Sequence, residues 1–111
     1  TCHKASENDL LVRAETIQSK TVEVRNLALG AIVDLIDSIK AAQAAGVDEA
    51  TLDKARDFQR KASFLCDFVE AENSAGFHAD QESARVLGLS LNYSRLGEKA
   101  LKENVAKEAA E

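Results

Sequence analysis

With 111 residues, 14 Lys and Arg against 19 Asp and Glu, and a formal charge of −5 at pH 7, the chain has the length of one domain. It lacks the clustered cations that binding a nucleic-acid backbone requires, and no apolar run approaches the roughly 20 residues needed to span a bilayer. Aromatics amount to 5% and proline, methionine and tryptophan are absent, a balance that favours long helices with narrow apolar seams over a thick core.

The chain opens on Thr1, Cys2 and His3, which read as the tail of a Cys-x-x-Cys-His haem-attachment motif whose first cysteine lies upstream. In such a motif two thiols form thioethers to the haem vinyl groups and the adjacent histidine meets the iron. Cys2 is therefore a candidate thioether and His3 a candidate proximal ligand. The plainer reading is a terminal Thr-Cys-His that arose by chance. On the haem reading, residues 1–7 are the remnant of a motif and residues 8–111 a helical domain, so the chain is expected to be a piece of a longer protein. A disulfide between Cys2 and Cys66 is not expected, because Cys66 lies inside a helical pattern.

From 8 to 45 only Gly30 interrupts helix formers, and Leu10, Ala14, Ile17, Thr21, Val24, Ala28, Ala31 and Leu35 recur in alternating steps of four and three, the coiled-coil period. A helix of this length extends nearly 60 Å at about 1.5 Å per residue, and such a rod needs support along its length. Between Val24 and Ile39 the apolar face widens to take in Leu27, Leu29, Ile32, Val33 and Ile36, which predicts burial on more than one side, either in a tight hairpin or in an oligomer interface. Gly46 is a natural stop, and Asp48 is an N-cap candidate followed by Glu49 in the first turn.

A second helix over about 49–74 presents Leu52, Ala55, Phe58, Ala62, Leu65 and Val69 on one face, broadened by Phe64, Cys66 and Phe68, and is expected to run back antiparallel to the first. Phe58, Phe64 and Phe68, with Phe77 just beyond, are either ordinary helix–helix core or a wall beside a large flat cofactor. The segment from Asn73 to Asp80 breaks the pattern with Asn, Ser and Gly. A third helix over about 80–109 carries two seams, one of Ala84, Leu87, Leu91, Glu98, Leu101 and Val105, the other of Val86, Leu89, Tyr93, Leu96 and Ala100. Two seams predict two neighbours. Gly88 and Gly97 each cost about 1 kcal/mol of helix propensity, which predicts a close backbone or cofactor at each. The expected fold is thus all-α: a long antiparallel hairpin plus a third long helix, associating through its seams.

The stretch from Phe58 to Gly88, and within it Ala71–His78 (AENSAGFH) above all, resembles the C-terminal part of the ammonia-forming cytochrome c nitrite reductases, periplasmic multihaem enzymes that reduce nitrite to ammonium. In that family the corresponding Gly-x-His ends a long helix and its histidine is a distal haem ligand, so the resemblance implies that role for His78. Thr1–His3 falls where the family's last haem motif ends, and the long helices match the family's helical tail in order and length. Two departures stand out: Ala79 and Asp80 replace the Asn-Pro that many relatives carry after the histidine, and Cys66 stands where relatives often have a large aromatic.

The resemblance further implies a parent that carries haem c, binds calcium outside this chain, resides in the periplasm and forms a homodimer through its long helices, with the upstream haem domain of the same protein as a partner. A histidine anchored on a rigid helix end has little entropy left to lose on ligation, and an iron with two imidazole ligands has no open position for substrate, so His78 and His3 would serve relay haems, different ones. No catalytic residue is expected in this chain: the lysine-ligated haem and the substrate-site Arg, Tyr and His would lie before residue 1, and the isolated chain should reduce no nitrite. Asp67, Glu70 and Glu72 read as a solvated acidic face rather than a metal cage. The rival readings are a haem-free helical interaction module, which explains the seams but neither histidine site, and the tail of another multihaem oxidoreductase, such as an octahaem enzyme.

Overall fold

The structure, a computed structural model, describes residues 7–74 and 80–110. Its described residues form three helices and no strand: α1 (Glu7–Ala44), α2 (Glu49–Ser74) and α3 (Asp80–Ala110). The first two form an antiparallel hairpin. The third packs along both, antiparallel to α2 and parallel to α1, in a rod of 73 × 24 × 17 Å. The all-α hairpin with a third long helix is the architecture that the periodicities predict.

The hairpin turn follows from its residues one by one. Gly46 takes φ +84°, the left-handed region that glycine enters without a Cβ penalty. Its N–H donates to the Gln43 carbonyl at 3.1 Å and the Val47 N–H to the Ala42 carbonyl at 3.0 Å, the paired bonds of a Schellman C-cap. Asp48 then caps α2: one carboxylate oxygen accepts from the Thr51 N–H at 3.0 Å and the other from the Thr51 hydroxyl at 2.8 Å. Val47, just before the cap, and Leu52, four residues after it, join the same apolar cluster, a hydrophobic staple that fixes how the chain enters the helix.

Two clusters fill the interior. Near the turn, Leu35, Ile39, Leu52, Ala55 and Leu101 are buried together; further along, Ala28, Ile32, Ala62, Cys66, Val69, Val86 and Leu87 form the second. Fully burying a leucine such as Leu35, which is 0% exposed, contributes about 1.5–3 kcal/mol. The deepest stripe of α3 is Ser83, Leu87, Ser90, Ser94, Gly97 and Leu101, with steps of four and three throughout. Its small members let α1 and α2 approach α3 at once. The Ser90 hydroxyl crosses to α2, donating to the Ala62 carbonyl at 2.7 Å.

Several apolar residues that the sequence assigns to the seams face outward instead. Leu27, Leu29, Val33, Phe64, Phe68 and Leu89 are exposed large hydrophobics, and Ala84 is exposed too; Leu10 and Val105 continue buried stripes and are exposed toward the helix ends. In a three-helix bundle each helix has two neighbours, both on its inner side, so a face wider than that stripe stays uncovered. The widened face of α1 is therefore divided. Ile32 and Ile36 turn inward, whereas Leu27, Leu29 and Val33 remain outside, so packing within the hairpin does not account for them. The glycines divide likewise. A Cβ at Gly97 would lie 2.7 Å from a Leu35 methyl, whereas one at Gly88 would meet nothing within 4 Å. The close neighbour expected at Gly88 is not found among the described residues, and the one at Gly97 is a side chain rather than a backbone.

Candidate functional site

The three residues with sequence-based haem roles, Cys2, His3 and His78, lie outside the described residues, as does Phe77. What the structure describes is their frame. Position 78 falls between the last residue of α2, Ser74, and the first of α3, Asp80, and the antiparallel packing puts those two helix termini at one end of the bundle. Across that end, the Arg25 guanidinium of α1 pairs with the Glu70 carboxylate of α2 at 3.0 Å, with the two side chains 35% and 47% exposed. At that exposure the pair contributes no more than about 1 kcal/mol, and it marks the register that the buried cluster of α1 and α2 holds. Four residues back from Arg25 and four on from Glu70, Thr21 reaches the level of Ser74, so the α1 residues before Thr21 run past the end of α2. Arg25 also buries its Nε without a hydrogen-bond partner.

The described residues supply no haem-binding thiol of their own. Cys66, the one cysteine among them, is free and 2% exposed, packed in the inner cluster with Ala28, Ile32 and Ala62. Burial pushes its thiol pKa up, against a smaller downward pull from a hydrogen bond with Ser90, so the thiolate needed for covalent chemistry is suppressed. The face that carries Cys66 is thus well packed. The thioether and ligand roles expected from the sequence fall on Cys2, His3 and His78, a donor set of thiol and imidazoles whose chemistry would suit haem c.

The phenylalanines of α2 do not form a uniform core. Phe58 of α2 stacks with Tyr93 of α3, with ring centroids 6.2 Å apart. The Lys61 ammonium lies 5.7 Å and 5.8 Å from the two ring centres, within cation–π range. Phe64 and Phe68 stand outside this pair, 68% and 43% exposed. Asp67, Glu70 and Glu72 do not converge: Glu70 is engaged by Arg25, and no group of three or more metal-capable side chains occurs among the described residues.

A second feature has no counterpart in the sequence reading. An open groove of about 670 Å³ runs between α1 and α3, rimmed by Asp34, Glu98 and Glu103 and by Arg95, Lys99 and Lys102, with the buried Ser94 at its base. The Ser94 hydroxyl has no hydrogen-bond partner. Glu98 accepts a 2.7 Å hydrogen bond from the Ser38 hydroxyl across the helices. The groove brings charges of both signs together but no nucleophile with a base beside it. The recurrence of small residues at 83, 90, 94 and 97 was the available signal for this close packing, and a search for apolar seams passes over serine and glycine.

Comparison with known proteins identifies the kind of chain this is. A family model described as cytochrome c552 matches residues 1–111. Two curated proteins are similar. One is named cytochrome c nitrite reductase subunit NrfA, from Nitratidesulfovibrio vulgaris, 34% identical over 87 residues, which are 78% of this chain and 15% of that protein. The other is named cytochrome c-552, from Maridesulfovibrio salexigens, 28% identical over 92 residues, 83% of this chain and 18% of that protein. The chain thus spans less than a fifth of the curated relatives it matches. No solved structure matches it significantly.

Proposed function

The chain belongs to the cytochrome c552 family, and from that premise we propose that it is the C-terminal helical part of an ammonia-forming cytochrome c nitrite reductase. The observation that carries the reading is the family match over all 111 residues, supported by a relative whose name is that of the enzyme. Within the reading, Cys2 supplies a haem thioether, His3 the proximal ligand of the same haem, and His78 the distal ligand of another. Haem c, when bound, supplies one-electron transfer between neighbouring irons. The chain's own part is to hold two imidazoles on a stiff helical frame, with the buried cluster of Ala28, Ile32, Ala62, Cys66 and Val69 holding α1 against α2 and the Arg25–Glu70 pair lying nearer the end where α2 stops. Nitrite reduction itself belongs to the parent, in the periplasm, at residues outside this chain. Calcium is bound there too, and the 111 residues alone reduce no nitrite. No helix among the described residues is long and apolar enough to cross a membrane.

The parent also forms a homodimer through its long helices. The aliphatic residues left uncovered along one stripe of α1, Leu11, Val22, Leu29 and Val33, support this, since an unburied seam on a long rod is the usual mark of a helical partner. Sedimentation of the holoprotein should show a dimer, and a strict monomer at high concentration would remove the association role.

The ligand assignment is tested in the full-length protein. The upstream reading frame should contain further Cys-x-x-Cys-His motifs and one Cys-x-x-Cys-Lys. Replacing His78→Ala should convert one low-spin haem to a five-coordinate or water-ligated spectrum while haem content is unchanged. Absorption and paramagnetic resonance spectra identical to those of the parent would sink the role of His78. A reading frame without haem motifs would sink the reading as a whole.

A further inference from the structure

Every aromatic side chain among the described residues, namely Phe58, Phe64, Phe68 and Tyr93, belongs to α2 or α3, and α1 has none. Helical spacing groups them. Lys61, Phe64 and Phe68 follow one another at steps of three and four along one stripe of α2, and Lys61 reaches over the Phe58–Tyr93 pair, which joins that stripe to α3. One turn before Tyr93 on α3, Leu89 is 39% exposed. The outer side of the α2–α3 pair is therefore an apolar surface with a firm aromatic floor and two phenylalanines standing out of it. Its cations are paired within the surface: Arg60 and Lys61 lie 3.5 and 3.3 Å from Asp57, and Arg85 pairs with Glu82.

The opposite character appears between α1 and α3, where three acidic and three basic side chains rim the groove. A rim of mixed sign suits a two-fold contact, in which each acid of one copy finds a base of the other. An aromatic, electrically quiet face suits a permanent partner, because permanent interfaces are apolar like a divided core and their anchors are phenylalanine, tyrosine and tryptophan. The relatives supply that partner's size: more than four-fifths of their length lies outside the matched region. The place is consistent as well. Phe68 is six residues, about 9 Å of helix, from the end of α2 that leads to His78.

We propose that the face of α2 and α3 bearing Phe64, Phe68 and Leu89 is the surface on which the upstream, haem-carrying part of the same polypeptide packs. This rests on the nitrite reductase reading and adds to it a division of labour between faces. The test uses the full-length holoprotein with Phe64 replaced by the photoreactive p-benzoylphenylalanine, a position so exposed that the bundle itself tolerates the larger ring. Irradiation, digestion and mass spectrometry then identify what lies against it. The expected product is a cross-link within one polypeptide, to residues upstream of Thr1. The same probe at Leu89 should give upstream partners too, and at Leu27, on the far helix, should not. Cross-links between two copies, or none outside the 111 residues from either the Phe64 or the Leu89 probe, would overturn the proposal. Haem content, read from the absorption spectrum of the same sample, reports on the nitrite reductase reading separately.

Discussion

At the hairpin end, α1 stops on a left-handed glycine, α2 starts on a capped carboxylate, and α3 closes over both. There the Thr51 hydroxyl lies 3.1 Å from the Asn104 side-chain oxygen, above a cluster with Leu35 and Leu52 nearly sealed from water. At the opposite end α1 runs on past α2, Leu10, Leu11 and Val12 are more than half exposed, and a half-exposed ion pair links α1 to α2. One end satisfies its own backbone and side chains; the other leaves apolar surface for something else to cover. A bundle finished at one end and open at the other is a fixture, with its anchor and its docking surface at different places along the same rods.

Substitutions in the isolated chain can break this comparison or sharpen it. The largest effect is expected at Leu35→Ala, which removes a fully buried side chain from the hairpin-end cluster and should cost about 3 kcal/mol in urea denaturation. The matching change at the open end, Leu10→Ala, should stay within about 0.5 kcal/mol. Equal losses would mean that the projecting part of α1 is packed after all. Next come the two glycines of α3. At Gly97→Ala the new methyl meets Leu35 carbons at 2.7 and 2.8 Å, and overpacking of about 1–3 kcal/mol outweighs a propensity gain of about 0.5–1 kcal/mol. Toward the open end, Gly88→Ala meets nothing and should stabilise by that propensity gain, so thermal melts should shift in opposite directions.

Asp48→Ala removes the cap at the hairpin and should cost about 1 kcal/mol; a cost near zero would show that the glycine turn holds the corner unaided. The smallest effect is electrostatic. At the open end Glu82 is held below its ordinary carboxylate value of 4.5, chiefly by its hydrogen bond with Arg85. A carboxylate with a lowered folded value stabilises above its unfolded value and loses that contribution as pH falls through the folded one. Glu82→Gln should therefore melt slightly lower than the parent at pH 7, with the gap closing in acid. A gap that widened on acidification would reverse the sign.

Much of the hairpin was legible because it is local. Gly46, Asp48 and Glu49 announce a stop, a cap and a start within four residues, and the structure uses the first two as caps. The Leu52, Ala55, Ala62 and Val69 stripe of α2 was legible for the same reason, because a period of three and four needs no knowledge of partners. What lies between helices was less so. Counting apolar residues sends Phe64, Phe68 and Leu89 inward, whereas the bundle gives its interior to Ser83, Ser90, Ser94 and Gly97, chosen for smallness rather than for hydrophobicity. The roles given to Cys2, His3 and His78 rest on motif and resemblance alone, since haem ligation is read from residue identity at fixed spacing and all three lie outside the described residues.

Tyr93 is the chain's one tyrosine, and there is no tryptophan. Ultraviolet emission excited near 280 nm therefore comes from a single ring, lodged between a phenylalanine of the neighbouring helix and a lysine ammonium. The molecule carries its own optical gauge of the α2–α3 seam. Any slippage of those helices, on unfolding or on docking, changes the surroundings of that phenol directly, without a label being added.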